Sequence, residues 1–374
     1  MSMKTQLSSL DIHFVLKELK DLEGARVDRI YGHGKEEYYI QFHKSNIGKK
    51  ILRIIVGNAI FLTEEKSVDE TPSGFCTFLR KHLEGKFLDS IEQIEPERIL
   101  KLVFKSKEDE KNLYLELFGK GNIILCNNEE IIIDCLIHHK FRDRSVVPKE
   151  KYKYPSMEYN LFNLQKKDIS DLLKKSKKDK VVTSLAVGLG LGGSYSEEVC
   201  LLSGIDKGED PTKISEDDIS KIISSIKNLL KNKKNPQIIY KNKEAVGVIP
   251  IALELYKDCE NKTFSSFNDA LDTYLTKEMK LEKKEESAYT KKINELKRII
   301  EEQKDTIEAM GQKEIENRAK GESIYNNYKI ISEILDEINK ASKKYSWEEI
   351  KKKLKGHKIV KDVDVKDKQV VVDI

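Results

Sequence analysis

Gly188, Gly190 and Gly193, within "VGLGLGGSYSEEV" (187–199), stand at the GxGxxG spacing that lets a backbone turn approach a pyrophosphate. That chemistry needs a strand before the glycines, a helix after them and an acidic residue about twenty positions on. Upstream, "KKDISDLLKKSKKDKVVTSLA" spaces Leu172, Leu173, Val181, Val182 and Leu185 as two short amphipathic helices. Downstream, Ser194 or Ser196 is placed to cap a helix with carboxylates in its first turn. The glycines therefore join helix to helix, which argues against a dinucleotide. A helical hairpin offers backbone N–H groups and a helix N-terminus to phosphate without any cofactor. The leading reading is a hairpin for a nucleic-acid backbone, made of Gly188, Gly190, Gly192, Gly193 and Ser194. A tight interhelical turn with no ligand is the plain alternative.

Other constellations are sparse. The sequence contains no GxSxG elbow, HExxH pair, P-loop or CxxC. The five cysteines (Cys76, Cys126, Cys135, Cys200 and Cys259) are scattered and odd in number, and read as small apolar residues. His138 and His139 form a histidine pair short of a third and fourth metal ligand. No catalytic residue, metal site or cofactor is assigned, and a non-enzymatic protein is expected.

The net charge is only +4, but its distribution is uneven. Lysines cluster at 166–180 and 227–236, on either side of the glycine hairpin, as an electrostatic surface for phosphate or as two solvated helix faces. Charged residues make up 35% of the chain and no apolar run is long enough to span a bilayer. "MSMKTQLSSLDIHF" lacks a secretory core, so a cytoplasmic location without membrane contact is expected.

The elements that must position the hairpin are α+β. Residues 3–160 alternate short β-like runs with two helices, as an antiparallel-sheet domain. The first helix carries Leu10, Phe14, Leu16 and Leu19 on one stripe, with Ser8 or Ser9 as its cap and Gly24 as its stop. Pro72 and Gly85 bracket the second. Strands are expected at "RVDRIYGH", "EYYIQFHK", "KKILRIIVG", "AIFLTEE", "RILKLVFKS", "NLYLELFG", "GNIILCN" and "EIIIDCLIHH". Residues 161–235 form the basic helical module, and 236–275 return to mixed structure packing on the first domain. Over 276–340 a coiled-coil seam runs through Tyr289, Ile293, Leu296, Ile300, Ile307 and Met310. It resumes at Ile324, Tyr325, Tyr328, Ile331, Leu335 and Ile338. As one helix this segment would be on the order of 95 Å long; a hairpin turning near Gly311–Gly321 is the competing reading. Residues 341–374 begin a small α/β middle domain.

Seven stretches in order carry a resemblance: "MKTQLSSLDIHFVLKELKDLEGARVDRIY", "TPSGFCTFLRKHLEGK", "LYLELFGKGNIIL", "RSVVPKEKYKYP", "GLGLGGSYSEEVCLLSGID", "FSSFNDALDTYL" and "KGESIYNNYKIISEIL". Together they resemble the NFACT family, the NEMF and RqcH proteins once called fibronectin-binding proteins. The resemblance implies a sheet domain similar to the N-domain of formamidopyrimidine-DNA glycosylases, a helix-hairpin-helix domain and a long coiled coil with a small middle domain. It implies a ribosome-associated quality control factor. Such a factor binds a large ribosomal subunit obstructed by peptidyl-tRNA and recruits tRNA, and the stalled nascent chain gains an untemplated tail. The peptidyl-transfer chemistry then belongs to the ribosome.

By the same resemblance the N-terminal domain contacts tRNA. The family's Asp-Arg dipeptide falls on Glu97-Arg98 here, with a carboxylate one methylene longer. Asp11 matches a second acidic position; read alone, it is a first-turn helix carboxylate. Arg80, Lys81 and His82 on one helix, and Lys120 beside a Gly-Asn turn, are further tRNA contacts or a solvated basic face. The family's returning helix and NFACT-R domain are not matched, so the chain reads as an N-terminal portion whose seam pairs with a second copy. The alternative function is a nucleic-acid repair enzyme of glycosylase architecture. The N-terminal proline nucleophile of those enzymes has no counterpart in "MSMKT".

Overall fold

The computed structural model describes residues 6–141, 144–155 and 157–373; the side chains of 277–291 and 294 are not described, so the expected domain start at Met3 and the seam residue Tyr289 lie outside the described residues. Two compact units are present, Met1–Lys283 and Lys284–Ile374.

The first unit opens with α1 (Ser9–Leu19), started by a capping box in which the Ser8 hydroxyl accepts from Asp11 N–H and the Asp11 carboxylate accepts from Ser8 N–H. Gly24, at φ +81°, turns the chain into the sheet. β1 (Arg26–His33), β2 (Glu37–Lys44), β3 (Gly48–Ile55) and β4 (Ala59–Thr63) form one antiparallel meander. α2 (Gly74–Leu83) follows, capped by Ser73 rather than begun by Pro72. A second meander comprises β5 (Phe87–Gln93), β6 (Ile99–Lys105), β7 (Glu110–Glu116), β8 (Asn122–Asn127) and β9 (Ile132–Cys135). A short ladder of β10 (His139–Lys140) and β11 (Ser145–Val146) completes the domain.

The nine strands run in the order β4-β3-β2-β1-β5-β6-β7-β8-β9, but β1 and β5 pair only at Arg26 and Phe87. The meanders are thus joined at one corner and fold over a shared core. Phe42 of β2 stacks on Phe104 of β6 with rings 6.4 Å apart, and both are fully buried. Each such side chain stabilises the fold by about 1.5–3 kcal/mol. Away from that corner the turn after β3 meets the turn after β7. A Cβ on Gly121 would lie 2.0 Å from Gly57 N, so neither turn tolerates a side chain there.

α3 (Lys166–Lys175), α4 (Val181–Gly188), α5 (Gly192–Ser203) and α6 (Glu216–Lys231) make the helical module. α5 begins at Gly192 with Leu191 as N-cap and no side-chain cap bond. Ser194 and Ser196 therefore lie inside the helix, which corrects their expected capping role. β12 (Gln237–Lys241), β13 (Glu244–Ile249) and β14 (Glu260–Thr263) form a small sheet, followed by α7 (Phe267–Asp272). The N-terminus of α7 is held by Glu18 of α1, whose carboxylate accepts from Phe267 N–H at 3.0 Å and Asn268 N–H at 2.9 Å. Asn268 in turn accepts from Leu62 N–H, which pins this segment to β4.

α8 (Met279–Asn326) runs without interruption through Gly311 and Gly321. The turn of the competing hairpin reading is absent there. The break falls instead at Asn327, the N-cap of α9 (Tyr328–Ser342), so 276–340 is not one unbroken helix. The seam on α8 is open to solvent, with Ile307 and Met310 70% and 66% exposed, whereas Ile338 on α9 is buried. In the second unit α10 (Trp347–Lys353) and the hairpin of β15 (Val360–Asp364) and β16 (Gln369–Val372) enclose Ile350, Val360 and Val363. Among the described residues no helix is long and apolar enough to cross a membrane.

Candidate nucleic-acid interface

Backbone conformation and close packing account for three glycines of the hairpin, and neither accounts for Gly193. Gly190 and Gly192 adopt left-handed backbone, at φ +65° and +74°. A Cβ on Gly188 would lie 2.6 Å from Leu172 Cδ1, so this glycine lets α4 pack on α3. Gly193 meets nothing within 4 Å and has ordinary φ. The hairpin joins α4 to α5, so the strand-turn-helix context of a dinucleotide site is missing.

Glu97 and Arg98 occupy the turn between β5 and β6, 90 residues before the hairpin in sequence. Both face the same cavity as the hairpin, a cleft of about 510 Å³ walled by Gln6, Glu97, Arg98, Phe118, Met157 and residues 190–195. Arg98 Nη1 donates to Gln6 Oε1 at 3.3 Å. Burial pulls the Arg98 guanidinium below its ordinary pKa, against the pull of Glu97, yet a guanidinium stays charged. Glu97 is 7% exposed and accepts from Met157 N–H. Burial pushes its carboxyl upward, opposed by that N–H and by Arg98 and Arg144. The uncapped start of α5 adds the positive end of a helix to this wall. A cation, a helix N-terminus with no side-chain cap and apolar flanks suit a phosphate with an aromatic ring beside it.

Asp11 departs from its expected place. It is fully buried, does not wall the cavity, and accepts from Ser8 N–H and hydroxyl at 2.8 Å and from Tyr195 hydroxyl at 2.6 Å. It has no surface to offer RNA, which corrects the reading of it as a direct contact. Tyr195 is itself fully buried; burial, then the Asp11 carboxylate, hold its phenol well above the ordinary value, so it stays a donor. Ser194 lines the cavity, but its hydroxyl is engaged with Tyr256 at 2.9 Å.

The other expected contacts lie elsewhere. Arg80 Nε donates to Ile30 O at 2.6 Å, and the guanidinium sits over the Tyr31 ring, so it braces α2 on β1. His82 packs on Phe78 at 4.6 Å, and burial, followed by Lys111 and Lys81, lowers its pKa. Lys81 is exposed. Lys120 borders a separate cleft with Arg53 and Val56. None of these four lines the hairpin cavity. The lysines at 166–180 and 227–236 are exposed and also lie outside its wall. His138 bonds Asp134 at 2.8 Å, and with Cys135 these donors lie within 4.8 Å of one another, a three-ligand group at most.

Gln6, Phe118, Met157 and Tyr195 were not anticipated. Only Tyr195 carries a local signal, since Leu191, Tyr195 and Val199 share one buried helix face. The other three reach the cavity through tertiary folding alone.

The family description "NFACT N-terminal and middle domains" matches residues 8–370. The chain belongs to the NFACT family. The archaeal protein aRqcH of Methanocaldococcus jannaschii is 33% identical over 372 residues, 95% of this chain and 55% of that protein. The human ribosome quality control complex subunit NEMF is 24% identical over 384 residues, covering 93% of this chain and 35% of NEMF. The chain thus spans about half or less of these relatives. A fibrinogen binding protein of Staphylococcus aureus shares the fold, with a TM-score of 0.62 at 20% identity over 72% of this chain and 98% of that one. This NFACT fold comprises the two meanders and the helical module that together frame the cavity.

Proposed function

We propose that this chain is the RNA-binding portion of a ribosome-associated quality control factor. It binds large ribosomal subunits obstructed by peptidyl-tRNA and recruits tRNA for untemplated extension of the stalled nascent chain. The bond-forming chemistry belongs to the ribosomal peptidyl-transferase centre, so the chain is a binding factor and not an enzyme. The carrying observation is the convergence of Arg98 and the uncapped N-terminus of α5 on one cavity from distant parts of the sequence. A tRNA backbone supplies phosphates for both, and an unstacked base supplies a flat partner for Phe118 and Met157. The names of the archaeal and human relatives favour this over a repair enzyme.

Cosedimentation tests the reading. The chain is expected to travel with large subunits that carry peptidyl-tRNA and to travel less with empty ones, with the difference reduced in Arg98→Ala. Equal association with both, or with neither, counts against it. The exposed seam of α8 supports a second copy as a partner. Sedimentation should show an apparent mass that rises with concentration; a strict monomer rejects that part.

A further inference from the structure

The N-terminal turn of α1 is bonded to both walls of the cavity without lining it through Asp11 or Ser9. Ser9 hydroxyl donates to Pro96 O at 2.6 Å, and Gln93 Nε2 donates to Ser9 Oγ at 2.9 Å and to Glu97 O at 3.0 Å. These bonds fix the turn that carries Glu97 and Arg98. On the other side Ser9 N–H donates to Gly190 O at 3.3 Å, and Tyr195 hydroxyl donates to Asp11 Oδ1 at 2.6 Å. Tyr195 is in the first turns of α5, the helix whose N-terminus faces Arg98 across the cavity.

We propose that Tyr195 is a positioning residue for tRNA: through Asp11 it holds the α5 N-terminus at a set distance from Arg98, so both grip one ligand. Asp11 then acts by placement, never by touching RNA. The strut is short and dry. It is a charge-assisted bond between two fully buried groups, and removing one partner leaves the other's polar atom buried. A second bond between the two segments, from Ser9 N–H to Gly190 O, joins backbone to backbone. A hairpin released from the strut keeps its own helices but loses its register against the β5–β6 turn.

The inference rests on the proposed tRNA reading of this cavity, and its test separates the two. Tyr195→Phe and Asp11→Asn, alone and combined, are compared in the full chain by tRNA anisotropy and by amide exchange over the α4–α5 hairpin. Tyr152→Phe is the control, because Tyr152 loses a similar buried bond, to Glu116, away from the cavity. Tyr195→Phe should weaken tRNA binding about tenfold and speed exchange in the hairpin. Tyr152→Phe should lower the unfolding midpoint comparably and leave tRNA affinity in place. In the Tyr195→Phe background Arg98→Ala should cost less than in the wild type, because the two anchors no longer share a ligand.

Hairpin exchange unchanged by Tyr195→Phe overturns the strut, whatever RNA does. So does faster exchange with unchanged tRNA affinity. Loss of binding in Asp11→Asn but not in Tyr195→Phe overturns it in favour of direct contact by Asp11. Wild-type chain that shows no preference for tRNA defeats the reading of the cavity, and the exchange comparison alone then decides whether the strut holds the hairpin.

Discussion

Glu97 holds the backbone N–H of Met157, sixty residues away, and so ties the segment leaving the sheet domain to the turn that carries Arg98. The side chain is buried, and its carboxylate reaches from the β5–β6 turn to Met157, both on the cavity wall. Glu97 thus has a structural task here, as the acceptor for Met157 N–H.

Glu97→Asp shortens that reach and leaves Met157 N–H without its acceptor. The expected loss is about 1–2 kcal/mol of unfolding free energy, the cost of a buried donor deprived of its partner. Urea denaturation measures it. A variant as stable as the wild type, with full tRNA affinity, shows the two carboxylates to be interchangeable.

Gly193 and Gly121 separate backbone need from ligand need. Gly121, at φ +70°, faces Gly57 across a gap too small for a Cβ, so Gly121→Ala should cost more than about 2 kcal/mol. Gly193 has open space, and Gly193→Ala should change stability by no more than about 0.5 kcal/mol. Its tRNA affinity should still fall, because a methyl at the cavity wall keeps a phosphate off the α5 amides. Undiminished affinity in Gly193→Ala means the ligand does not approach that wall.

His13 stacks on Phe162 at 5.0 Å, and burial, with a smaller push from Lys17, lowers its pKa from 6.5 to about 4. Above pH 6.5 the ring is neutral in folded and unfolded chains, and its contribution is fully present. Below that, the unfolded chain takes up a proton that the folded chain refuses, so stability falls between pH 6.5 and about 4. His82 acts in the same direction. Denaturation midpoints across this window should fall less steeply in His13→Gln than in the wild type; parallel curves would remove His13 from the account.

Local periodicity shows much of this fold directly. The alternation in "RVDRIYGH" and "EYYIQFHK" coincides with β1 and β2, because each strand buries one face against the core. β5 escapes notice: "FLDSIEQ" buries only Leu88, Ile91 and Gln93, and its polar remainder reads as a connection. The site divides the same way. Glycine spacing locates the hairpin, and family resemblance locates Glu97 and Arg98. That they share a cavity depends on how the meanders and the helical module meet, which no local pattern records. Asp11 is legible as a first-turn helix carboxylate, and its bond to Tyr195 is not, since 184 residues separate them.

The most direct measurement is tRNA affinity of the full chain at two salt concentrations, with Arg98→Ala alongside and duplex DNA as competitor. The account predicts preference for tRNA over the duplex, weaker binding at higher salt and about a tenfold loss in Arg98→Ala. Equal affinity for both nucleic acids, unchanged by Arg98→Ala, would contradict it and reduce the binding to a generic basic surface.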